Sequence, residues 1–291
     1  MKDLIIIGAG PCGVSAALYA QSRGCDLTIF EKEQVGGLIG KVSKVSHYTS
    51  VIVDEDGESF RKRLENQIKA YGLDLRYEEV TKLEKKDAYF LVTTNKGSYE
   101  AKKVIVAAGS TPKELDLDSK GYEIAHWARG SEERVSGKVV LVNGGSDGAC
   151  KEALYLSKFA KEVHIIQNQE ALMCINEFRK QIEASSNITV HTGVSLTSID
   201  KDGDHVCKAS LSNCEEIKSQ EGLEVFAMIG QYPNTGFIDI DLSKNDLGFI
   251  VSDIKTPIEG LFVAGDIRVK AVKQVATAVN DGALAGIEAS K

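Results

Sequence analysis

Residues 8–13 read Gly8-Ala9-Gly10-Pro11-Cys12-Gly13, a Gly-x-Gly-x-x-Gly spacing, and Glu31 follows at the end of the next apolar run. That spacing suits one chemistry, the seating of a dinucleotide pyrophosphate against bare backbone. Gly8 permits a tight turn, Gly10 removes a side chain where phosphate oxygens must approach, and Gly13 lets a helix pack closely on a strand. The helix that starts at this turn offers free N–H groups and a partial positive charge to the phosphates. Glu31 can accept hydrogen bonds from both hydroxyls of a ribose. Far along the chain, Gly265-Asp266 closes the apolar run Leu261–Ala264 and puts a second carboxylate and bare backbone beside the same crevice. On its own Asp266 could equally be a helix cap. A structural turn in an unliganded α/β protein is the bland alternative for Gly8–Gly13. The strand before it, the helix after it and the acid beyond favour the dinucleotide.

The thiols are a second source of chemistry. Cys12 lies at a helix N-terminus, a position that lowers a thiol's pKa, so it is a candidate nucleophile. A small side chain buried under a cofactor is the alternative. The other cysteines are Cys25, Cys150, Cys174, Cys207 and Cys214, and no two of the six are spaced Cys-x-x-Cys. No zinc site, iron–sulfur pattern or local redox dithiol is therefore expected, and no metal centre. In sequence Cys150 has no cysteine neighbour, and a partner from another chain stays open.

The elements that must position these residues form strand–helix–strand, twice. Leu4–Ile7 is a near-continuous apolar run, as a buried parallel strand should be, followed by a helix of small residues from Val14 to Ala20 and a second strand over Asp26–Phe30. Lys138–Val142, a glycine turn over Asn143–Gly148, a helix to about Ala160 and a strand over Glu162–Ile166 repeat the plan. Short alternating segments over Tyr77–Val106, with a turn at Asn95-Lys96-Gly97, predict a small antiparallel meander, and Ile188–Leu211 looks similar. A last strand over Gly260–Asp266 and a helix from about Val272 to Ala289 close the chain. The fold class is α/β, with two Rossmann-like βαβ nucleotide-binding domains, each carrying a small meander.

The bulk composition agrees. The chain has 291 residues, 43% apolar and 26% charged, with only four prolines, which suits two packed domains and no disordered linker. A net charge of −7 argues against nucleic acid and anionic membranes as partners. The first strand starts at Asp3, with no basic leader before it, and no apolar run reaches the length of a membrane span. A cytoplasmic protein is the expectation.

Several stretches together resemble the low-molecular-weight thioredoxin reductases over nearly the whole chain. Leu4–Gly13 resembles their FAD fingerprint, Val35-Gly36-Gly37-Leu38 the segment beside the flavin, and Val104–Pro112 the crossover strand. Ile229–Thr235 resembles their Gly-x-x-Pro-Asn-Thr turn. Gly265-Asp266-Ile267-Arg268 and Lys273–Ala278 resemble their second FAD motif. The resemblance implies FAD bound along Gly8, Gly10, Pro11, Cys12, Gly13, Glu31, Lys32, Gly37, Leu38, His47, Val80, Ala108, Gly109, Gly265, Asp266, Lys273, Gln274 and Val275. It also implies a homodimer and a discontinuous FAD-binding domain, residues 1–114 and 246–291. An inserted NAD(P)-binding-like domain would span 115–245.

Two departures from that family bear on function. Its redox Cys-x-x-Cys falls on His126-Trp127-Ala128-Arg129, so the dithiol that passes electrons to a protein disulfide is absent. His126 or Trp127 could instead stack on the flavin, or Trp127 could simply fill space between domains. The nicotinamide site also departs. Asn143 stands where the first glycine belongs, with an extra residue entering the following helix, and the arginines that hold the NADPH 2′-phosphate fall on Asn168 and Gln169. The expectation is an FAD oxidoreductase drawing electrons from a donor other than NADPH, with reduced ferredoxin or flavodoxin the natural candidate. Its acceptor could be a protein, a quinone-like molecule, oxygen or a small disulfide. Two alternatives remain: a flavin-binding pseudoenzyme with a regulatory role, and a noncanonical NAD(P)H-dependent disulfide reductase using Cys12. Some flavoprotein relatives that reduce low-molecular-weight disulfides carry Gly-Pro-Cys-Gly at this point, and this chain is similar to them there.

Overall fold

The computed structural model describes residues 1–291. In chain order the elements are β1 (Lys2–Ile7), α1 (Pro11–Gln21), β2 (Leu27–Glu31), α2 (Gly57–Ala70), β3 (Leu75–Tyr77), β4 (Val80–Lys85), β5 (Phe90–Thr94), β6 (Ser98–Val106) and β7 (Ser110–Pro112). Then come α3 (Glu132–Val135), β8 (Val139–Asn143), α4 (Asp147–Leu156), β9 (Glu162–Gln167), α5 (Asn176–Glu183), β10 (Ile188–Thr192), β11 (Leu196–Asp202), β12 (His205–Leu211) and β13 (Glu216–Ala227). The chain ends with β14 (Gln231–Pro233), β15 (Ile238–Asp239), β16 (Leu261–Val263) and α6 (Val275–Ala289).

The chain divides into two units. Unit 1 holds Met1–Lys41, Val45–Thr111 and Tyr232–Lys291; unit 2 holds Val42–Lys44 and Pro112–Gln231. The return into unit 1 comes earlier than the sequence boundary at 245/246. The cause is physical: β15 pairs with β4, Leu83 N–H donates to the Phe237 carbonyl at 2.8 Å, and Leu242 is buried in the unit 1 core.

In unit 1, β3, β2, β1, β6 and β16 run parallel, and apolar side chains such as Ile5, Ile6, Ile29 and Ile105 are fully buried. β6 does two jobs. Its first half pairs antiparallel with β5, which pairs with β4 to make the meander, and its second half joins the parallel sheet. Helices α1 and α6 pack at backbone distance. A Cβ on Gly282 would overlap the Cys12 carbonyl, and one on Gly286 the Ala16 carbonyl, while Ser15 Oγ donates to the Val279 carbonyl at 2.8 Å. The small residues of both helices are what permit that approach.

Unit 2 repeats the device. Strands β10, β9, β8 and the second half of β13 are parallel, and β12 and β11 continue antiparallel from the first half of β13. Ile188–Thr192 is therefore a parallel edge strand rather than the start of a meander, and the third meander strand is Glu216 onward. α4 ends at Leu156, short of the expected Ala160, and α6 begins at Val275 rather than Val272.

Candidate functional site

In unit 1 the turn after β1 has the geometry that its spacing predicts. Gly8 has φ +104°, and a Cβ there would stand 2.5 Å from the Ala107 carbonyl oxygen. A Cβ on Gly13 would overlap the Gly8 carbonyl, so β1 and α1 meet only because both positions are glycine. Gly10 differs from these two. It caps α1 with φ −68° and ψ 179°, and a Cβ there would find only the Gly36 carbonyl, at 3.9 Å. Nothing in the protein fills the space at Gly10. Pro11 opens the helix, a position where its missing N–H costs nothing. Gly36 N–H donates to the Ala9 carbonyl at 2.8 Å, which brings Gly37 and Leu38 to the rim, and a Cβ on Gly37 would touch nothing within 4 Å. At the end of β2, Glu31 is buried, its two carboxylate oxygens accepting from Ala9 N–H at 2.9 Å and Glu33 N–H at 3.0 Å. These bonds fix the carboxylate beside the turn and leave further lone pairs for a ribose.

Asn234 ties down the opposite wall: its Nδ2 donates to the Ala108 carbonyl at 2.8 Å and its N–H to the Gly109 carbonyl at 3.0 Å. Val80 opens β4, half-buried. His47 is exposed and holds a left-handed backbone at φ +59°; Lys32 is exposed beside Glu33.

The Gly265-Asp266 turn is set by a residue that sequence reasoning missed. Asp281, on α6, accepts from Gly265 N–H at 3.0 Å and from Arg268 Nε and Nη2 at 2.9 and 3.0 Å. Burial alone would raise the Asp281 carboxyl; the Arg268 hydrogen bonds, the Lys270 charge and the Gly265 N–H outweigh it and hold it below the usual carboxylate range. Arg268 is thus a half-buried structural partner of Asp281. Asp266 Oδ1 is buried and takes no hydrogen bond; Lys270 Nζ lies within ion-pair distance at 3.4 Å. A buried carboxylate oxygen without a hydrogen bond is costly unless a ligand completes it. Lys273 stands with its ammonium 3.1 Å from the Phe249 ring centroid, and burial lowers its pKa. Gln274 caps α6 in a reciprocal box with Thr277, its own N–H donating to Thr277 Oγ1 at 3.1 Å.

Cys12 behaves differently from the expectation for a helix N-terminus. It is buried, with a Cβ on Gly265 only 3.1 Å from its Sγ, and burial followed by the Asp281 charge pushes its thiol up instead of down. Packing under α6 overrides the helix terminus. Brief iodoacetamide treatment of the native protein is therefore expected to label exposed Cys214 and leave Cys12 unmodified. Peptide mapping that finds Cys12 labelled first would refute the buried assignment.

In unit 2 the corresponding turn has a different register from the one read in sequence. Gly144, not Asn143, is the counterpart of Gly8. Its φ is +127°, its N–H donates to the Ile166 carbonyl at 2.8 Å as Gly8 N–H does to Phe30, and a Cβ there would overlap the Met228 carbonyl. Asn143 instead ends β8, buried, with Nδ2 donating to the Phe226 carbonyl at 3.1 Å. In this register the turn keeps the spacing of unit 1, with Gly144, Ser146 and Ala149 at the positions of Gly8, Gly10 and Gly13, and no extra residue enters the helix. This register puts Ser146, the cap of α4 with φ −78° and ψ 174°, where unit 1 has Gly10. The Gln167 side chain also lies across Gly145, so a Cβ there would meet its amide at 2.8 Å. Asn168 and Gln169 are exposed and neutral.

His126 and Trp127 belong to unit 2. His126 Nδ1 lies 3.1 Å from the Ala227 carbonyl and its Nε2 3.1 Å from Glu114 Oε1. The Trp127 carbonyl accepts from Ser131 Oγ at 2.9 Å, and Ala128 is fully buried in the unit 2 core. No helix is long and apolar enough to cross a membrane, and no cluster of His, Cys, Asp and Glu is arranged to hold a metal ion.

Each unit is built on a parallel sheet of Rossmann type, and the glycine turn of unit 1 keeps the Gly-x-Gly-x-x-Gly spacing. The chain matches the pyridine nucleotide-disulphide oxidoreductase family over residues 2–282. It is 32% identical to the thioredoxin reductase of Treponema pallidum over 294 residues, 97% of this chain and 94% of that protein. The Helicobacter pylori thioredoxin reductase is 32% identical over 309 residues, 99% of this chain and 97% of its own. The crystal structure of T. acidophilum thioredoxin reductase aligns with a TM-score of 0.90 at 28% identity, covering 99% of this chain and 97% of that one. The chain belongs to the pyridine nucleotide-disulphide oxidoreductase family and is thioredoxin reductase-like.

Proposed function

We propose that the protein is an FAD-dependent oxidoreductase that takes its electrons from a carrier other than NADPH, a small reduced protein such as ferredoxin or flavodoxin. The observation that carries this reading is the contrast between the two turns. Gly10 is open to a pyrophosphate, whereas its counterpart in unit 2 is Ser146, with Gln167 across Gly145 and no cation at 168 or 169. A 2′-phosphate held without arginine loses its charge-assisted bidentate contacts.

The residues of unit 1 fit FAD. The first N–H groups of α1 and the bare backbone at Gly10 would take the pyrophosphate, and Glu31 the adenosine ribose. Asp266 Oδ1, buried without a hydrogen bond, would take a hydroxyl of the ribityl chain. Gly37, Leu38, His47, Val80, Ala108, Gly109 and the start of α6 at Gln274-Val275 would complete the cradle, together with Lys32 and Lys273. When bound, FAD supplies a centre that accepts electrons singly or in pairs. Asp281 holds the Gly265-Asp266 backbone still, and Asn234 does the same for Ala108 and Gly109.

No Cys-x-x-Cys occurs in the chain, and the buried Cys12 thiol does not favour a disulfide reductase built on it. In the same reading the protein works as a cytoplasmic homodimer. The test is which donor reduces the bound flavin without oxygen. Neither NADPH nor NADH is expected to do so, and a reduced ferredoxin or flavodoxin is.

A further inference from the structure

Two cysteines far apart in sequence meet in unit 2. Cys150 lies on the first turn of α4 and is fully buried; Cys174 lies in the segment between β9 and α5 and is 8% exposed. The backbone around them is tied together on both sides. Met173 N–H donates to the Gly145 carbonyl at 2.8 Å, Ile175 N–H donates to Asp147 Oδ1 at 2.7 Å, and Ser146 bridges Met173 in parallel. Residues 173–175 thus run beside the glycine turn. Cys150 Sγ lies 3.6 Å from the Gly145 carbonyl, and the Cys174 side chain is near enough to act on the Cys150 thiol. Both sit in one apolar cluster with Ala149, Leu172 and Phe178. The remaining thiols are placed differently: Cys12 is packed under Gly265, Cys207 lies against the Asp200 carbonyl, Cys25 is half-buried near the start of β2, and Cys214 is exposed on a turn.

We propose that Cys150 and Cys174 form a reversible disulfide in response to hydroperoxides, stapling the glycine turn of unit 2 and the start of α4 to the segment before α5. Cys174 reacts first, because it is the more exposed and lies between exposed Met173 and Ile175. Its thiolate attacks the peroxide: an S–O bond forms, the O–O bond breaks, and the leaving oxygen departs as water or an alcohol after taking up a proton. Cys150 sulfur then displaces hydroxide from the Cys174 sulfenic acid. The S–S bond forms, the S–O bond breaks, and the Cys150 proton leaves with the hydroxide as water. Two thiols give up two electrons to one peroxide, and an external dithiol reverses the change by exchange. Burial holds the Cys150 thiol above its ordinary pKa, which keeps it protonated and unreactive until the sulfenic acid stands beside it. In a reducing compartment such a pair is transient and regulatory rather than structural.

The full-length protein, with whatever cofactor it carries, is treated with hydrogen peroxide, quenched, denatured, alkylated and mapped by mass spectrometry. The expected result is four alkylated cysteines of the six, and one linked peptide pair joining Cys150 to Cys174. Dithiothreitol is expected to restore all six. In Cys150→Ser the link is lost and Cys174 is found as a sulfenic or sulfinic acid. If that variant does not fold, Cys174→Ala is expected to leave Cys150 alkylatable after peroxide. Six alkylatable thiols after peroxide in the native chain, or links through Cys25, Cys207 or Cys214 instead, overturn the proposal.

Discussion

Gly10→Ala is expected to give a folded protein that is purified without its flavin. The backbone at Gly10 has φ −68° and ψ 179°, which any L-residue adopts, and the added methyl meets nothing closer than the Gly36 carbonyl at 3.9 Å. Exchange at a helix cap costs on the order of 0.5–1 kcal/mol, so the fold survives. The same methyl would occupy the space into which the proposed pyrophosphate enters. Forcing a ligand past it costs about 1–3 kcal/mol, roughly a 5- to 150-fold loss of affinity. Gly13→Ala is the control in the other direction. Its Cβ would overlap the Gly8 carbonyl, so β1 and α1 must part and the protein is expected to be insoluble or unfolded. The visible absorbance per protein after purification, together with a thermal melt, separates the two effects. A Gly10→Ala protein that keeps its full flavin content would show that the phosphates are seated elsewhere.

Asp281→Ala is expected to be the most destabilising single change among the polar residues of unit 1. The Asp281 side chain is 5% exposed and that of Arg268 17%, so removing the carboxylate leaves a half-buried guanidinium without this partner. Breaking such a pair costs about 3–5 kcal/mol. The Gly265 N–H also loses its acceptor, so the Gly265-Asp266 turn is freed and flavin retention falls with stability. Asp281→Asn keeps an oxygen for Gly265 and loses the charge, and a smaller loss of about 1–3 kcal/mol is expected. The pH dependence has a definite sign. The carboxyl is held below its ordinary value in the folded protein, so its contribution is fully present above the unfolded pKa of about 3.9. It is lost as pH falls through the lower folded value. Denaturant midpoints of native protein and Asp281→Ala are therefore expected to differ most above about pH 5 and to converge in acid. A difference that stays constant down to the acid limit would remove the carboxylate from the explanation.

The unit 1 turn was legible because its information is local: glycine spacing, a flanking apolar strand and an acid one strand later. The parallel strands were legible as apolar runs, with ends off by one to three residues, the most at the last strand, which stops at Val263 rather than Asp266. What failed was set by contacts distant in sequence. Gly144 and Asn143 are adjacent, and only the strand pairing and the Met228 carbonyl wall decide which of them takes the left-handed turn. Ile188–Thr192 is a part-exposed edge strand and carries no sign of running parallel to β9. Cys12 reads as a helix-terminal thiol until α6 is laid across it. Asp281 reads as one more polar helix residue, because its partners Arg268 and Gly265 lie outside its own helix. The meeting of Cys150 with Cys174 depends on residues 173–175 returning past the turn, which no spacing rule reports.

The most direct measurement is the visible spectrum of the purified protein during anaerobic titration with NADPH, then NADH, then reduced ferredoxin or flavodoxin, with dithionite as the end point. The flavin band is expected to stay oxidised through both nicotinamides and to bleach with the reduced carrier. Prompt bleaching by NADPH or NADH would contradict the reading, because unit 2 would then bind and use a nicotinamide despite Ser146, Asn168 and Gln169.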